Sequence, residues 1–244
     1  MIRLWRSFLA VLCFSLFGLG AGVISFVIFP YIHFFIPENK QKSSYSEVVH
    51  KAWRFFIKLL IKVRIINIEF PEKEHFENLS GKIIVANHPT FIDIVILIGL
   101  IPKSTCLAKK ATLKNPLFRN IVKSIYIIND IDPEKLKENS AKFLSEGFNI
   151  IIFPSGTRTK PGEDFKIHKG SAAIALNTMA EIIPVKITTD VPFLQKGQLF
   201  CDMGGKTVKF TLEAGRTITP ADFANLPEIK ARNAISEQIK ERIS

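Results

Sequence analysis

Residues 7 to 37 contain no Asp, Glu, Lys or Arg, and an uncharged apolar run of that length exceeds the ~20 residues needed to cross a bilayer. A chain built this way puts its N-terminal end in or on a membrane. Arg3 and Arg6 precede the run, as in a cleaved signal peptide, but a signal core is only about 7 to 15 residues long and Phe-rich sequence here continues through Phe34 and Phe35. Retention is therefore expected. Gly18, Gly20 and Gly22 sit near the middle of the run and Pro30 interrupts its second half. A single crossing, a re-entrant hairpin and two short embedded helices all stay open. Basic residues flank both ends, so the positive-inside rule does not choose an orientation.

The segment that follows places Lys51, Arg54, Lys58 and Lys62 at helical spacing, with Trp53, Phe56, Ile57, Leu60 and Ile61 between them. Such a helix can lie in the headgroup layer of a membrane or pack on a core with a solvated basic edge. The net charge of +11 fits anionic lipid or phosphate-bearing partners. Zinc-finger spacing, an aromatic RNA-binding signature and a helix-turn-helix are all lacking, so no nucleic-acid partner is expected. Cys13, Cys106 and Cys201 are far apart and make no metal-ligand pattern; free thiols and no metal site are expected. The chain divides naturally into an N-terminal membrane-embedded and interfacial helical segment over 1–70 and an α/β domain over 71–244.

Within the second part, apolar strand-like runs at 82–86, 149–153, 181–187 and 207–214 alternate with helical stretches at 92–100, 133–146 and 169–179. This pattern predicts an α/β layered domain with a largely parallel or mixed sheet flanked by helices. Pro184 argues for a strand start, edge or bulge. Ile235, Ile239 and Ile243 make a four-residue stripe on a C-terminal helix, a docking face for the rest of the domain.

Two junctions in this layout carry chemistry. His88 and Asp93 fall between the 82–86 strand and the following helix, where Asn87 or Thr90 can also serve as an ordinary helix cap. In one continuous helix, residues five apart point about 140° away from each other. Pro89 keeps His88 out of helical geometry, so Asp93 can reach back to the ring. A neutral imidazole can then take a proton from a hydroxyl while the carboxylate holds its tautomer. The second junction, 154–159, combines Ser155, Gly156, Thr157 and Arg158, with glycine permitting close approach of a ligand and the guanidinium suited to phosphate. Read plainly, it is a surface turn. Lys166, Lys169 and Gly170 downstream read as a solvated basic loop that can also reach phosphates. A serine hydrolase elbow and a nucleotide phosphate loop are both missing from the sequence.

Taken together, these segments resemble the glycerolipid acyltransferase family, which includes bacterial 1-acylglycerol-3-phosphate acyltransferases. His88 and Asp93 match its H-x-x-x-x-D signature, with Asn87 and Pro89 as frequent companions. Residues 153–158 resemble its F-P-E-G-T-R block, and Ile183-Pro184-Val185 its V-I-P-V block. The resemblance runs from about Lys82 to Ile187. It implies a membrane-bound enzyme in which His88, oriented by Asp93, deprotonates the free hydroxyl of a lysophospholipid. The hydroxyl then attacks the thioester of acyl-CoA or acyl-carrier protein, and no further cofactor is implied. Asn87, Thr90, Ser155, Gly156, Thr157 and Arg158 would bind substrate. The resemblance assigns no oxyanion donors; backbone amides near residues 89–91, at the helix start, are candidates from the positive end of the helix dipole. Membrane lipids are implied partners, and the cytoplasmic side of the inner membrane is the implied location.

Two departures bear on the acceptor. The family's usual glutamate is Ser155 here, and the segment 124–130, ending in Asn129 and Asp130, lacks the glycine and arginine usual in the intervening block. These changes predict an acceptor other than plain lysophosphatidate or a different headgroup contact. They also leave open a membrane-anchored lipid-binding protein of the same fold without acyltransferase activity.

Overall fold

The computed structural model describes residues 2–129, 132–159, 167–198 and 204–244. Asp130, Lys166 and Cys201 lie outside the described residues. Helix α1 (Ile2–Val23) continues through a π-helical turn (Ile24–Ile28) into α2 (Phe29–Phe35), so one helical rod passes through all three glycines and Pro30. The apolar run is therefore neither a hairpin nor two separate helices. The chain reverses only at Ile36 and Pro37, and α3 (Glu38–Lys62) returns antiparallel along the rod. Ring contacts show the pairing, Phe29 on Tyr45 at 4.4 Å and Phe17 on Trp53 at 4.8 Å.

The π turn explains how the rod survives its breakers. Its extra residue loosens the helical ladder, and the Ser25 carbonyl accepts a hydrogen bond from Asn120 at 3.0 Å. The Ser25 hydroxyl in turn donates to the Leu117 carbonyl at 2.5 Å. Side chains at Gly18 and Gly22 would meet the Leu117 methyls at 3.9 and 3.5 Å, so the small residues admit α6 (Pro116–Ile125) close to the rod. Arg3–Phe35 is long and apolar enough to cross a membrane, and only 22% of its most apolar window is buried. Leu4, Trp5, Phe8, Leu12, Leu19 and Phe26 stay exposed along one side.

Helix α3 packs one face on the core and leaves its basic edge at the surface. Trp53, Phe56, Ile57 and Leu60 are buried, and α3 lies so close to α5 (Asp93–Leu100) that a β-carbon at Gly99 would sit 2.5 Å from Ile57 Cδ1 and 3.0 Å from the Arg54 nitrogen. Arg54 pairs with Glu77 at 2.9 Å. Lys51, Lys58 and Lys62 remain exposed beside Phe55.

The sheet has the order β1-β7-β6-β2-β5-β3-β4. Its strands are β1 (Ile66–Glu69), β2 (Ile83–Ala86), β3 (Ser104–Ala108), β4 (Ile127–Ile128), β5 (Asn149–Ile152), β6 (Ile182–Thr189) and β7 (Val208–Ala214). All pairings are parallel except β6 with β7, so the expected mixed sheet is present. β1 lies on the N-terminal side of the boundary expected at residue 70 yet pairs with β7. The sheet therefore begins before that boundary. Pro184 falls in an interior strand, where the register changes by one residue between the Ile182–Ile218 bridge and the Val185–Ala214 pair. This bulge is one of the places a strand tolerates a residue without an N–H.

Alternation along β2 divides the core. Ile84 and Ala86 face the cluster that includes Trp53, Ile96, Leu97 and residues of α1 such as Ala10. Ile83 and Val85 face the cluster closed by Ile235, Ile239 and Ile243 of α9 (Glu228–Ile243). The helical rod thus shares a core with the sheet. Each fully buried isoleucine contributes roughly 1.5–3 kcal/mol relative to exposure.

Candidate active site

Strands β2 and β5 are parallel neighbours, with Val85 opposite Ile152. The junctions that follow them therefore emerge side by side at the carboxyl end of the sheet, where open α/β sheets place their ligands. This register brings the two chemically suggestive stretches of sequence together.

Asp93 is the first residue of α5 and is fully buried. Its carboxylate accepts from three groups: the Thr90 amide at 2.7 Å, the Thr90 hydroxyl, and His88 Nδ1 at 2.8 Å. The helix N-terminus favours the negative charge further. Binding at Nδ1 leaves Nε2 as the free nitrogen of the ring, in the basic tautomer when neutral. The ring lies face to face on Phe153, with centroids 4.2 Å apart and planes 20° apart. The His88 side chain retains 19% exposure.

Asn87 has both ends of its amide engaged with β6, donating to the Ile187 carbonyl at 2.8 Å and accepting from the Ile187 amide at 2.6 Å. It pins the start of the site to the sheet, and Thr90 is spent on Asp93. Both side chains thus have their polar atoms engaged within the protein. The amides near residues 89–91 are also occupied: Pro89 has none, Thr90 donates to Asp93, and Phe91 donates to the Leu194 carbonyl at 3.1 Å. Those amides are not free oxyanion donors.

The arginine turn meets the histidine directly, since the Thr159 amide donates to the His88 carbonyl at 2.9 Å. Ser155 is buried and donates to the Thr157 carbonyl at 2.7 Å. Gly156 has φ +64°, a conformation that costs other residues strain. Arg158 Nη1 donates to the carbonyls of Leu194 and Gln195 at 3.0 and 3.2 Å, and its guanidinium lies 5.9 Å from the Phe91 ring centroid. A cavity of about 450 Å³ opens beside it, lined by Phe14, Phe17 and Gly18 of α1 together with Phe91, Phe118 and Arg158.

Lys109 and His168 were not singled out in the sequence. A β-carbon at Gly156 would lie 3.8 Å from Lys109 Nζ and 3.5 Å from the His168 ring, so both border the turn. The signal for Lys109 was its place directly after the 104–108 run, whose Ser104, Thr105 and Cys106 disguise a buried strand. Lys169 instead donates to Asn233 of α9 at 2.6 Å, and Gly170 opens α8 (Gly170–Thr178). These two belong to a helix junction.

Comparison with known proteins places this geometry in context. The family model for Acyltransferase matches residues 67–188. The 1-acyl-sn-glycerol-3-phosphate acyltransferase of Bacillus subtilis is 30% identical over 193 residues, covering 77% of this chain and 91% of that protein. That of Cocos nucifera is 32% identical over 146 residues, covering 57% of this chain and about half of the coconut protein, 47%. Among solved structures, the 1-acyl-sn-glycerophosphate (LPA) acyltransferase PlsC of Thermotoga maritima shares the fold, with a TM-score of 0.72 at 18% identity over 99% of this chain and 98% of that one. With the family's sequence model covering the central sheet strands and both junctions, this chain belongs to the acyltransferase family.

Proposed function

We propose that the protein is a membrane-bound acyltransferase that moves a fatty acyl group from a thioester donor, acyl-CoA or acyl-carrier protein, to the free hydroxyl of a lysophospholipid. The observation that carries this reading is the fixed His88–Asp93 pair beside an arginine and an apolar cavity walled partly by the N-terminal rod. His88 Nε2 takes the acceptor hydroxyl's proton as that oxygen attacks the thioester carbonyl. The tetrahedral intermediate then collapses, the C–S bond breaks, and the imidazolium returns the proton to the leaving thiolate. Asp93 stabilises the imidazolium in between. Arg158, with Lys109 across the Gly156 turn, would hold the acceptor's phosphate, and the cavity would take an acyl chain.

The relatives' names support 1-acylglycerol-3-phosphate as the first acceptor to test. Ser155 turns its hydroxyl into the turn's own backbone, so the departure from glutamate offers no new headgroup contact. The exposed apolar side of the rod supports attachment to a bilayer; a catalytic face towards the cytoplasm rests on the family resemblance alone. The test crosses acyl-CoA and acyl-carrier protein with a panel of lysolipids, using purified wild-type protein and His88→Ala. Transfer to lysophosphatidate that is lost in the variant supports the proposal. Lipid binding without transfer in either protein would instead favour a binding protein of the same fold.

A further inference from the structure

The carboxylate clamp leaves one degree of freedom in His88 unexplained. A hydrogen bond at Nδ1 anchors one atom of the ring but allows the ring plane to swing about that bond. Nε2, on the far side, would then sweep through space. The Phe153 ring removes this freedom, stacked on the imidazole at 4.2 Å and 20°.

Building on the acyltransferase reading, we propose that Phe153 is a positioning residue for the general base and that its π face also stabilises the positive charge arising on His88 during transfer. Two separate pieces of geometry support this. Phe153 directly follows Ile152 of β5, whose register with β2 places it level with the His88 junction. The backbone around it is tied down as well: the Phe153 carbonyl accepts from the Gly156 amide at 3.0 Å, and the Pro154 carbonyl accepts from the His168 amide at 2.8 Å. The aromatic plate is therefore held by the same turn that presents Arg158.

The chemistry gives the plate a second role. When the imidazole takes the hydroxyl proton, it becomes a cation lying over an aromatic face, an arrangement favoured by the ring's quadrupole. Asp93 on α5 is the anionic group on the ring, while Arg158, Lys109 and His168 border the neighbouring turn with charge of the opposite or variable sign. Phe153 lends its face to the His88 cation without itself taking a proton.

The test separates shape from electrostatics. Phe153→Leu keeps apolar bulk and loses the plate; Phe153→Tyr keeps both; and fluorinated phenylalanines at position 153 keep the shape while draining electron density from the face. Activity of Phe153→Leu should fall about 10- to 100-fold in kcat with little change in KM for the acceptor, the scale of a mispositioned catalytic group. Phe153→Tyr should stay within a few-fold of wild type. The rate should decline stepwise with added fluorine, and the upfield ring-current shift of the His88 proton resonances should vanish in Phe153→Leu. Wild-type kcat in Phe153→Leu, or equal rates across the fluorinated series in a protein with the His88 shift intact, would overturn the positioning or the electrostatic role respectively. His88→Ala is the control for the underlying reading: if it keeps wild-type transfer, the acyltransferase mechanism has failed; if it is inactive and Phe153→Leu is not, only this inference has.

Discussion

His88 Nδ1 stands 2.8 Å from a carboxylate oxygen of Asp93, although five residues separate them and Asp93 opens a helix. The contact exists because His88 is outside that helix. Pro89 and the Thr90 turn fold the chain back, and Thr90 supplies two further hydrogen bonds to the same carboxylate. Removing the proposed base by His88→Ala should lower acyl transfer by roughly two to four orders of magnitude. Asp93→Asn should cost a comparable factor, because the amide no longer enforces the tautomer. Steady-state rates with a lysophospholipid acceptor measure both.

Asn87 yields a prediction about stability. Its amide makes two hydrogen bonds to Ile187 across the sheet, so Asn87→Ala should destabilise the fold by about 1–3 kcal/mol, with the Ile187 backbone left unpaired. Urea unfolding in detergent measures the loss. Asn87→Asp keeps the acceptor but sets a carboxylate oxygen against the Ile187 carbonyl, and should cost at least as much as Asn87→Ala.

Gly99 marks the closest approach of α3 to α5. A methyl group there would meet Ile57 and the Arg54 backbone within 3.0 Å, and the backbone cannot yield as a flexible side chain can. Gly99→Ala should cost about 1–3 kcal/mol, seen as a lower unfolding midpoint. An unchanged midpoint would mean that the two helices can separate at no cost.

Cys106 supplies the pH dependence. Burial pushes its thiol well above the ordinary range, so its folded state resists ionisation. With the folded value raised, its contribution to stability is complete below the unfolded thiol's pKa of about 8.5 and is lost as pH rises beyond it. Unfolding free energy should therefore decline between pH 8 and 10, and this decline should shrink in Cys106→Ala. Native protein at neutral pH should leave Cys106 unlabelled by iodoacetamide, as peptide mass mapping can show.

Several features were readable from residue patterns because they depend on local rules. The strands at 82–86, 149–153 and 207–214 are dense in β-branched or alternating apolar residues, and β2, β5 and β7 formed within a residue of those limits. The stripe of Ile235, Ile239 and Ile243 is fully buried, as helical periodicity required. β3 escaped notice because Ser104 and Thr105 are polar; they are buried only because their hydroxyls reach the carbonyls of Ile101 and Ile125. The glycines and Pro30 suggested a break in the N-terminal run, but α6 packs against Gly18 and Gly22 and Asn120 satisfies the loosened Ser25 carbonyl.

The sequence by itself determined the ingredients: an uncharged apolar run, an alternating α/β layout, and a histidine and an arginine at separate strand ends. Tertiary structure alone decided how they combine. The pairing of β2 with β5 set the His88 ring against Phe153, the contacts with β6 turned Asn87 inward, and the packing of α1 beside Arg158 made a cavity. Hydrogen-bond register and side-chain burial act between segments tens of residues apart, and local pattern carries no record of which distant partner each residue will meet.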